Sequence, residues 1–129
     1  MGRLLLICLG GAVGTGVRYL TAVAAAHWLG PDFPYGTLLV NLMGAFLVGL
    51  VQQLGLEARV IPDDVRLFLA TGLIGGLTTY SAFSYETVRL IQAAAWSRAW
   101  INVVVTTSVT LLLCFLGIAA GRGLMLWRG

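Results

Sequence analysis

Apolar residues dominate four long stretches of this chain, and charged residues interrupt them at widely spaced points. Between Arg66 and Arg89 the only charge is Glu86, and the stretch between Arg98 and Arg122 has no charge at all. About 20 predominantly apolar residues cross a bilayer as an α-helix. The pattern therefore predicts four transmembrane helices. The predicted spans cover residues 4–28, 36–56, 66–90 and 98–124.

Composition narrows the class of protein further. The chain has 129 residues, of which 59% are hydrophobic and 10% charged, and its mean hydropathy is +0.93. This balance indicates an all-α integral membrane protein with a single transmembrane domain, residues 1–129, and short loops. Since little sequence lies outside the membrane, we expect neither an enzyme nor a nucleic-acid-binding protein.

Arg18 is a cation inside the first apolar stretch. The alanine-rich residues 22–26 resemble a signal-peptide cleavage site, but Arg18 would fall inside the apolar region of such a peptide. We therefore expect a retained first helix. Arg18 is also a candidate for neutralising Glu86 or Asp32, or for attracting anions to the mouth of a pathway.

Loop arginines give a weak orientation signal. With four spans, only Arg98 lies clearly in a loop on the side away from both termini. The positive-inside rule then favours cytoplasmic termini, by a small margin. The arginines on the side of the termini are Arg3, Arg59, Arg66, Arg122 and Arg128.

Small residues recur at helical spacing in every span. Glycine allows two helix backbones to approach closely, which matters in lipid because apolar side chains gain nothing there by associating. The pattern predicts a tightly packed bundle. Four helices enclose little space, so we expect oligomerisation if anything is transported. The glycine pairs are Gly10 and Gly14, Gly44 and Gly49, Gly72 and Gly76, and Gly117 and Gly121.

The third span contains the polar stretch GGLTTYSAFSYE at residues 75–86. Gly75 to Thr79 combine poor helix formers with side chains that bond nearby backbone, so they predict a local helix break. Non-helical backbone at membrane depth must be buried in protein or line a polar cavity. Beyond the break, Tyr80, Phe83 and Thr87 share one helical face. Ring edges and hydroxyl or amide donors can bind an anion without a permanent cation.

Two further polar residues inside the spans are candidates for function. Asn41, in the second span, is a candidate either for interhelical bonding or for a pathway. Glu86 has three interpretations: a proton-coupling carboxylate, a structural acid paired with Arg89, or a vestibule residue near the membrane surface.

These motifs together resemble the Fluc (CrcB-type) fluoride channels over nearly the whole chain. Residues 10–19, GGAVGTGVRY, are similar to the family's first-helix signature, and residues 36–44, GTLLVNLMG, to its second. Residues 71–79, TGLIGGLTT, followed by YSAFS and Glu86, are similar to its third.

The resemblance implies a passive fluoride channel of the plasma or inner membrane that relieves fluoride toxicity. It implies an antiparallel, dual-topology homodimer with two pores. The implied pore residues are Asn41, Tyr80, Ser81, Phe83, Glu86 and Thr110, with Arg18 in a vestibule. Backbone carbonyls of Gly75 and Thr78 would hold a structural sodium ion. Tyr80 and Ala82 depart from the phenylalanine and threonine usual in the family. The alternative function is a proton-coupled small-molecule exporter that uses Glu86.

Overall fold

A computed structural model describes the whole chain, Met1–Gly129, and every regular element in it is a helix. Four helical segments are long and apolar enough to cross a membrane: Gly2–Leu29, Tyr35–Glu57, Asp63–Gln92 and Trp96–Arg128. The prediction of an all-α membrane protein with four spans is therefore confirmed.

The second and third spans are not uniform α-helices. We label the helices α1 (Gly2–Leu29), α2 (Tyr35–Gln52), α3 (residues 63–77), α4 (Tyr80–Gln92) and α5 (Trp96–Arg128). A π-helical turn, Gln53–Glu57, continues α2. Within α3, the π-helical segment Leu67–Ile74 separates two short α-helical pieces, Asp63–Arg66 and Gly75–Leu77. The hydrophobic pattern did not indicate either π-helical segment, since it marks only which residues are apolar.

The predicted helix break is present, but it is shorter than the sequence suggests. Only Thr78 and Thr79 leave the helical conformation, with ψ angles of 153° and 115°. Gly75 remains helical, so the prediction that the break begins there is wrong. The chain is extended at these threonines because Thr79 forms hydrogen bonds outside the helix. Its amide donates to Asn41. Its hydroxyl accepts from the amide of Ala82 and so caps the N-terminus of α4.

Glycines set how closely the helices pack, as the spacing predicted. A Cβ atom added at Gly14 of α1 would collide with the carbonyl of Leu73, and one at Gly76 of α3 would lie 2.5 Å from the carbonyl of Gly11. At Gly117 of α5, an added Cβ would collide with the carbonyl of Phe46 in α2. At these glycines backbone therefore packs on backbone, between α1 and α3 and between α2 and α5.

Candidate functional site

The polar residues of three helices converge on one groove of about 820 Å³. It runs between α2, the broken third span and α5. None of its lining residues carries a charge. The polar side chains that line it are Asn41, Thr78, Thr79, Tyr80, Ser84, Thr87, Thr106, Thr107 and Thr110.

Most of the residues singled out in the sequence lie along this groove. Its lining includes the candidate pore residues Asn41, Tyr80, Phe83 and Thr110 and the candidate sodium ligands Gly75 and Thr78. Ser81, Glu86 and Arg18 do not line it. Ser81 lies about 100° around the helix from Tyr80 and instead pairs with the Thr79 hydroxyl at 3.2 Å.

Asn41 joins α2 to the helix break through both ends of its side-chain amide. Its Oδ1 accepts from the Thr79 amide at 2.8 Å, and its Nδ2 donates to the Thr79 carbonyl at 3.1 Å. A backbone amide can only donate, so the orientation of the Asn41 side chain is fixed. One of the two Nδ2 hydrogens is used by Thr79, and the other is available to the groove.

Two aromatic rings meet where α4 begins. The centroids of Tyr80 and Phe83 are 5.5 Å apart, and their planes are tilted by 52°. Phe83 is 8% exposed and Tyr80 is 80% exposed. Phe83 is thus held within the bundle, whereas Tyr80 lies at the open side of the groove. The i, i+3 spacing placed them on one face correctly, and Ser84 and Thr87 complete that face.

A hydrogen-bonded row on α5 forms part of the opposite wall. The hydroxyl of Thr106 donates to Oδ1 of Asn102 at 3.4 Å, and that of Thr110 donates to the Thr106 carbonyl. Asn102 is 2% exposed and donates to the Thr87 hydroxyl at 2.9 Å. The sequence prediction included only Thr110. The polar residues at positions 102, 106 and 110 are four residues apart and therefore lie on one face of a helix; this spacing could have predicted the row.

Glu86 lies in a different cavity of about 340 Å³, beside the loop between α1 and α2. Its Oε1 accepts from the Thr37 hydroxyl at 2.8 Å, while its Oε2 is buried without a hydrogen-bond partner. The suggested ion pair with Arg89 is wrong, because the ion pairs of the chain are Arg3 with Asp64 and Arg66 with Asp63. Glu86 instead bonds to α2.

Arg18 takes part in neither of those ion pairs, so its suggested pairing with Glu86 or Asp32 does not form. It is half-buried on α1, one helical turn beyond the close contact at Gly14. Asp32 lines the same cavity as Glu86, and its carbonyl accepts from Arg98 at 3.4 Å. That bond joins the loop between α1 and α2 to the start of α5.

These features define a multi-pass membrane protein whose polar groups gather in one uncharged groove. Residues 5–118 match the family described as CrcB-like protein, Camphor Resistance (CrcB). The chain belongs to this family.

Relatives support the same assignment over most of the chain. A protein of Anaeromyxobacter sp. (strain K), named fluoride-specific ion channel FluC, is 48% identical over 89% of this chain and 91% of its own. Proteins of the same name are 45% identical in Geobacter metallireducens, over 92% of this chain and 95% of theirs, and 42% identical in Shewanella baltica (strain OS185), over 91% and 94%.

Proposed function

We propose that this protein is a fluoride-selective channel that lets fluoride leave the cell passively across the plasma or inner membrane and so relieves fluoride toxicity. The observation that carries the proposal is the uncharged groove, in which Asn41, Phe83 and a series of hydroxyls are brought together inside the membrane-spanning region. The names of the relatives agree with this function.

The chemistry of the groove suits a small anion in transit. The free Nδ2 hydrogen of Asn41, the hydroxyl hydrogens that no backbone carbonyl holds, such as those of Tyr80 and Thr107, and the positive edge of the Phe83 ring can each replace part of a hydration shell. Conduction needs binding strong enough for entry and weak enough for release. An arginine or lysine in the groove would hold an anion more firmly, because charge-assisted hydrogen bonds are roughly twice as strong as neutral ones.

Proton-coupled export is the competing mechanism, and the position of Glu86 disfavours it. A coupling carboxylate must exchange its proton within the transport pathway. Glu86 is the only acid within the third apolar stretch, yet it lies outside the groove, in the cavity beside the loop that precedes α2.

Flux from liposomes tests the proposal. Purified protein should release trapped fluoride down its gradient, at the same rate with and without a pH gradient, while chloride release stays at the level of empty liposomes. A pH gradient that drives fluoride uphill would identify proton coupling. Folded protein without fluoride release would refute the channel.

We further propose that a second copy of the chain completes the groove, in an antiparallel dual-topology homodimer. Tyr80 is 80% exposed along the groove, and Thr107, which also lines it, is exposed. Polar groups facing lipid are costly. Ser97→Cys, in a background without Cys8 and Cys114, tests this topology. In the cell membrane, a membrane-impermeant thiol reagent should label about half of the copies from the outside and the other half from the cytoplasmic side, as opposite insertion requires. Labelling of all copies from one side alone would exclude dual topology.

Sodium binding at the helix break is a third proposal. The Thr79 amide bonds to Asn41 and the Ala82 amide to the Thr79 hydroxyl, so the carbonyls of Gly75 and Thr78 lack the amide partners that an unbroken helix would supply. Carbonyl oxygens suit a hard cation such as sodium.

Sodium should raise the melting temperature of the protein relative to a bulky organic cation at equal ionic strength. Equal melting temperatures would contradict the site.

A further inference from the structure

Asn102 contacts the groove only through other residues. It is 2% exposed, and its side chain lies behind Thr87 of α4 and Thr106 of α5, both of which line the groove while Asn102 does not. A buried amide costs free energy unless its donor and acceptor are both used. Here both are used, and their partners are groove hydroxyls.

The two hydroxyls differ in how firmly their hydrogens are held. The Thr87 hydroxyl accepts from Asn102 at 2.9 Å and donates to the Phe83 carbonyl at 2.7 Å, a bond of normal length. The Thr106 hydroxyl donates to Oδ1 of Asn102 at 3.4 Å. Hydroxyl donors normally lie 2.5–3.0 Å from their acceptors, so the Thr106 bond is much the weaker.

Thr106 also differs from several other hydroxyls of the chain in the acceptor it uses. A serine or threonine inside a helix can donate to the carbonyl four residues earlier. Five hydroxyls do so here: Thr21, Thr78, Ser84, Thr87 and Thr110. For Thr106 that carbonyl belongs to residue 102, and the side chain of the same residue takes its place as acceptor.

We propose that Asn102 is a positioning residue for permeation: its side-chain carbonyl holds the Thr106 hydroxyl in a weak bond and so keeps that hydrogen ready for an anion in the groove. When an anion arrives, the Thr106 hydroxyl turns to it and gives up only the long bond to Asn102. Asn102 stays anchored through its bond to Thr87. This inference rests on the proposed channel function.

The proposal predicts that substitutions at positions 102 and 106 do not have independent effects on fluoride efflux. Without the Asn102 side chain, Thr106 turns to the backbone carbonyl of residue 102 and is held there in the same way as those five hydroxyls. We expect Asn102→Leu and Thr106→Val each to slow fluoride efflux about tenfold, the loss expected for one hydrogen bond to a charged group. Thr106→Ser, which keeps the hydroxyl, should regain most of the efflux that Thr106→Val loses. The double variant should be no slower than Thr106→Val alone.

Controls separate positioning from folding. Thr21→Val removes a hydroxyl with the same intrahelical bond on α1, outside the groove, and should leave efflux unchanged. Asn102→Ala replaces the leucine variant if that variant does not fold. Wild-type efflux from either folded position-102 variant, or a double variant that multiplies the two losses, would overturn the proposal. So would a failure of both position-102 variants to fold, since Asn102 would then be needed for folding.

A spectroscopic readout separates this proposal from the channel function itself. The chain has two asparagines, Asn41 and Asn102, so asparagine-selective ¹⁵N labelling gives two side-chain amide signals. Added fluoride should shift the Asn102 signal in the wild type and leave it unchanged in Thr106→Val. An Asn102 signal that fluoride does not move would overturn the positioning role, even in a protein that conducts. Absence of wild-type efflux would instead refute the channel function.

Discussion

Replacing Asn41 by leucine will abolish fluoride flux and destabilise the protein. Both Asn41 bonds go to the backbone of Thr79, which is 7% exposed. Leucine would leave a buried amide and a buried carbonyl without partners, at about 1–3 kcal/mol each. The groove would also lose the free Nδ2 hydrogen. Efflux from liposomes and thermal unfolding in detergent measure the two effects.

Asn41→Asp removes the side-chain donor, keeps the acceptor and adds a negative charge. Aspartate has the shape of asparagine and can still accept from the Thr79 amide, but it has no Nδ2 hydrogens to offer. We expect this variant not to conduct, because it lacks the donor and its carboxylate repels an anion. Gln92→Leu, which removes an exposed amide at the end of α4, is the matched control. Wild-type flux through Asn41→Asp would show that the Asn41 donor has no role.

Replacing Phe83 by leucine will slow fluoride flux about tenfold with a small loss of stability. Leucine keeps an apolar side chain at a position that is 8% exposed, and such swaps usually cost less than about 1.5 kcal/mol. It removes the ring whose positive edge we propose as an anion contact, a contribution of about 1 kcal/mol or more. Fluoride efflux from liposomes measures the change.

Phe115→Leu is the matched control for the ring. Phe115 is 66% exposed on α5 and does not line the groove. The same substitution there should leave efflux at the wild-type rate. If Phe83→Leu also conducts like the wild type, the groove passes fluoride without help from an aromatic edge, and the role given to Phe83 is wrong.

The hydrophobic pattern was sufficient to predict the four spans and the close helix contacts. Lipid leaves few other structures available to a chain with these apolar stretches, because every backbone group must be bonded within the protein. Glycine spacing then identified the positions where backbones meet, as Gly14 and Gly117 show. Helical periodicity also placed Tyr80, Phe83 and Thr87 on one face, and that face lines the groove.

The sequence could not specify partners that lie far apart along the chain. One of the three interpretations of Glu86 paired it with Arg89, because the two are one helical turn apart. Its actual partner is Thr37, 49 residues earlier, on a helix whose distance from α4 no local pattern gives. In the same way, Gly75 looked like part of the break, yet the break is set by the bonds that Asn41 makes to Thr79.

Hydroxyls on α5 were missed for a related reason. An uncharged span does not show which of its faces meets protein and which meets lipid, so Thr106 and Thr107 were indistinguishable from residues that face lipid. Asn102 identifies the inner face only once its bond to Thr87 of α4 is known. The contact between α4 and α5 therefore determines which face of α5 lines the groove.

The voltage at which current through the reconstituted protein vanishes tests the central claim most directly. In a planar bilayer with opposed, about tenfold gradients of fluoride and chloride, a fluoride-selective passive pathway predicts zero current at the fluoride equilibrium potential, about 59 mV in magnitude. That voltage should not move when the pH of one side is changed. Zero current at the chloride potential, or a voltage that follows pH, would contradict the account.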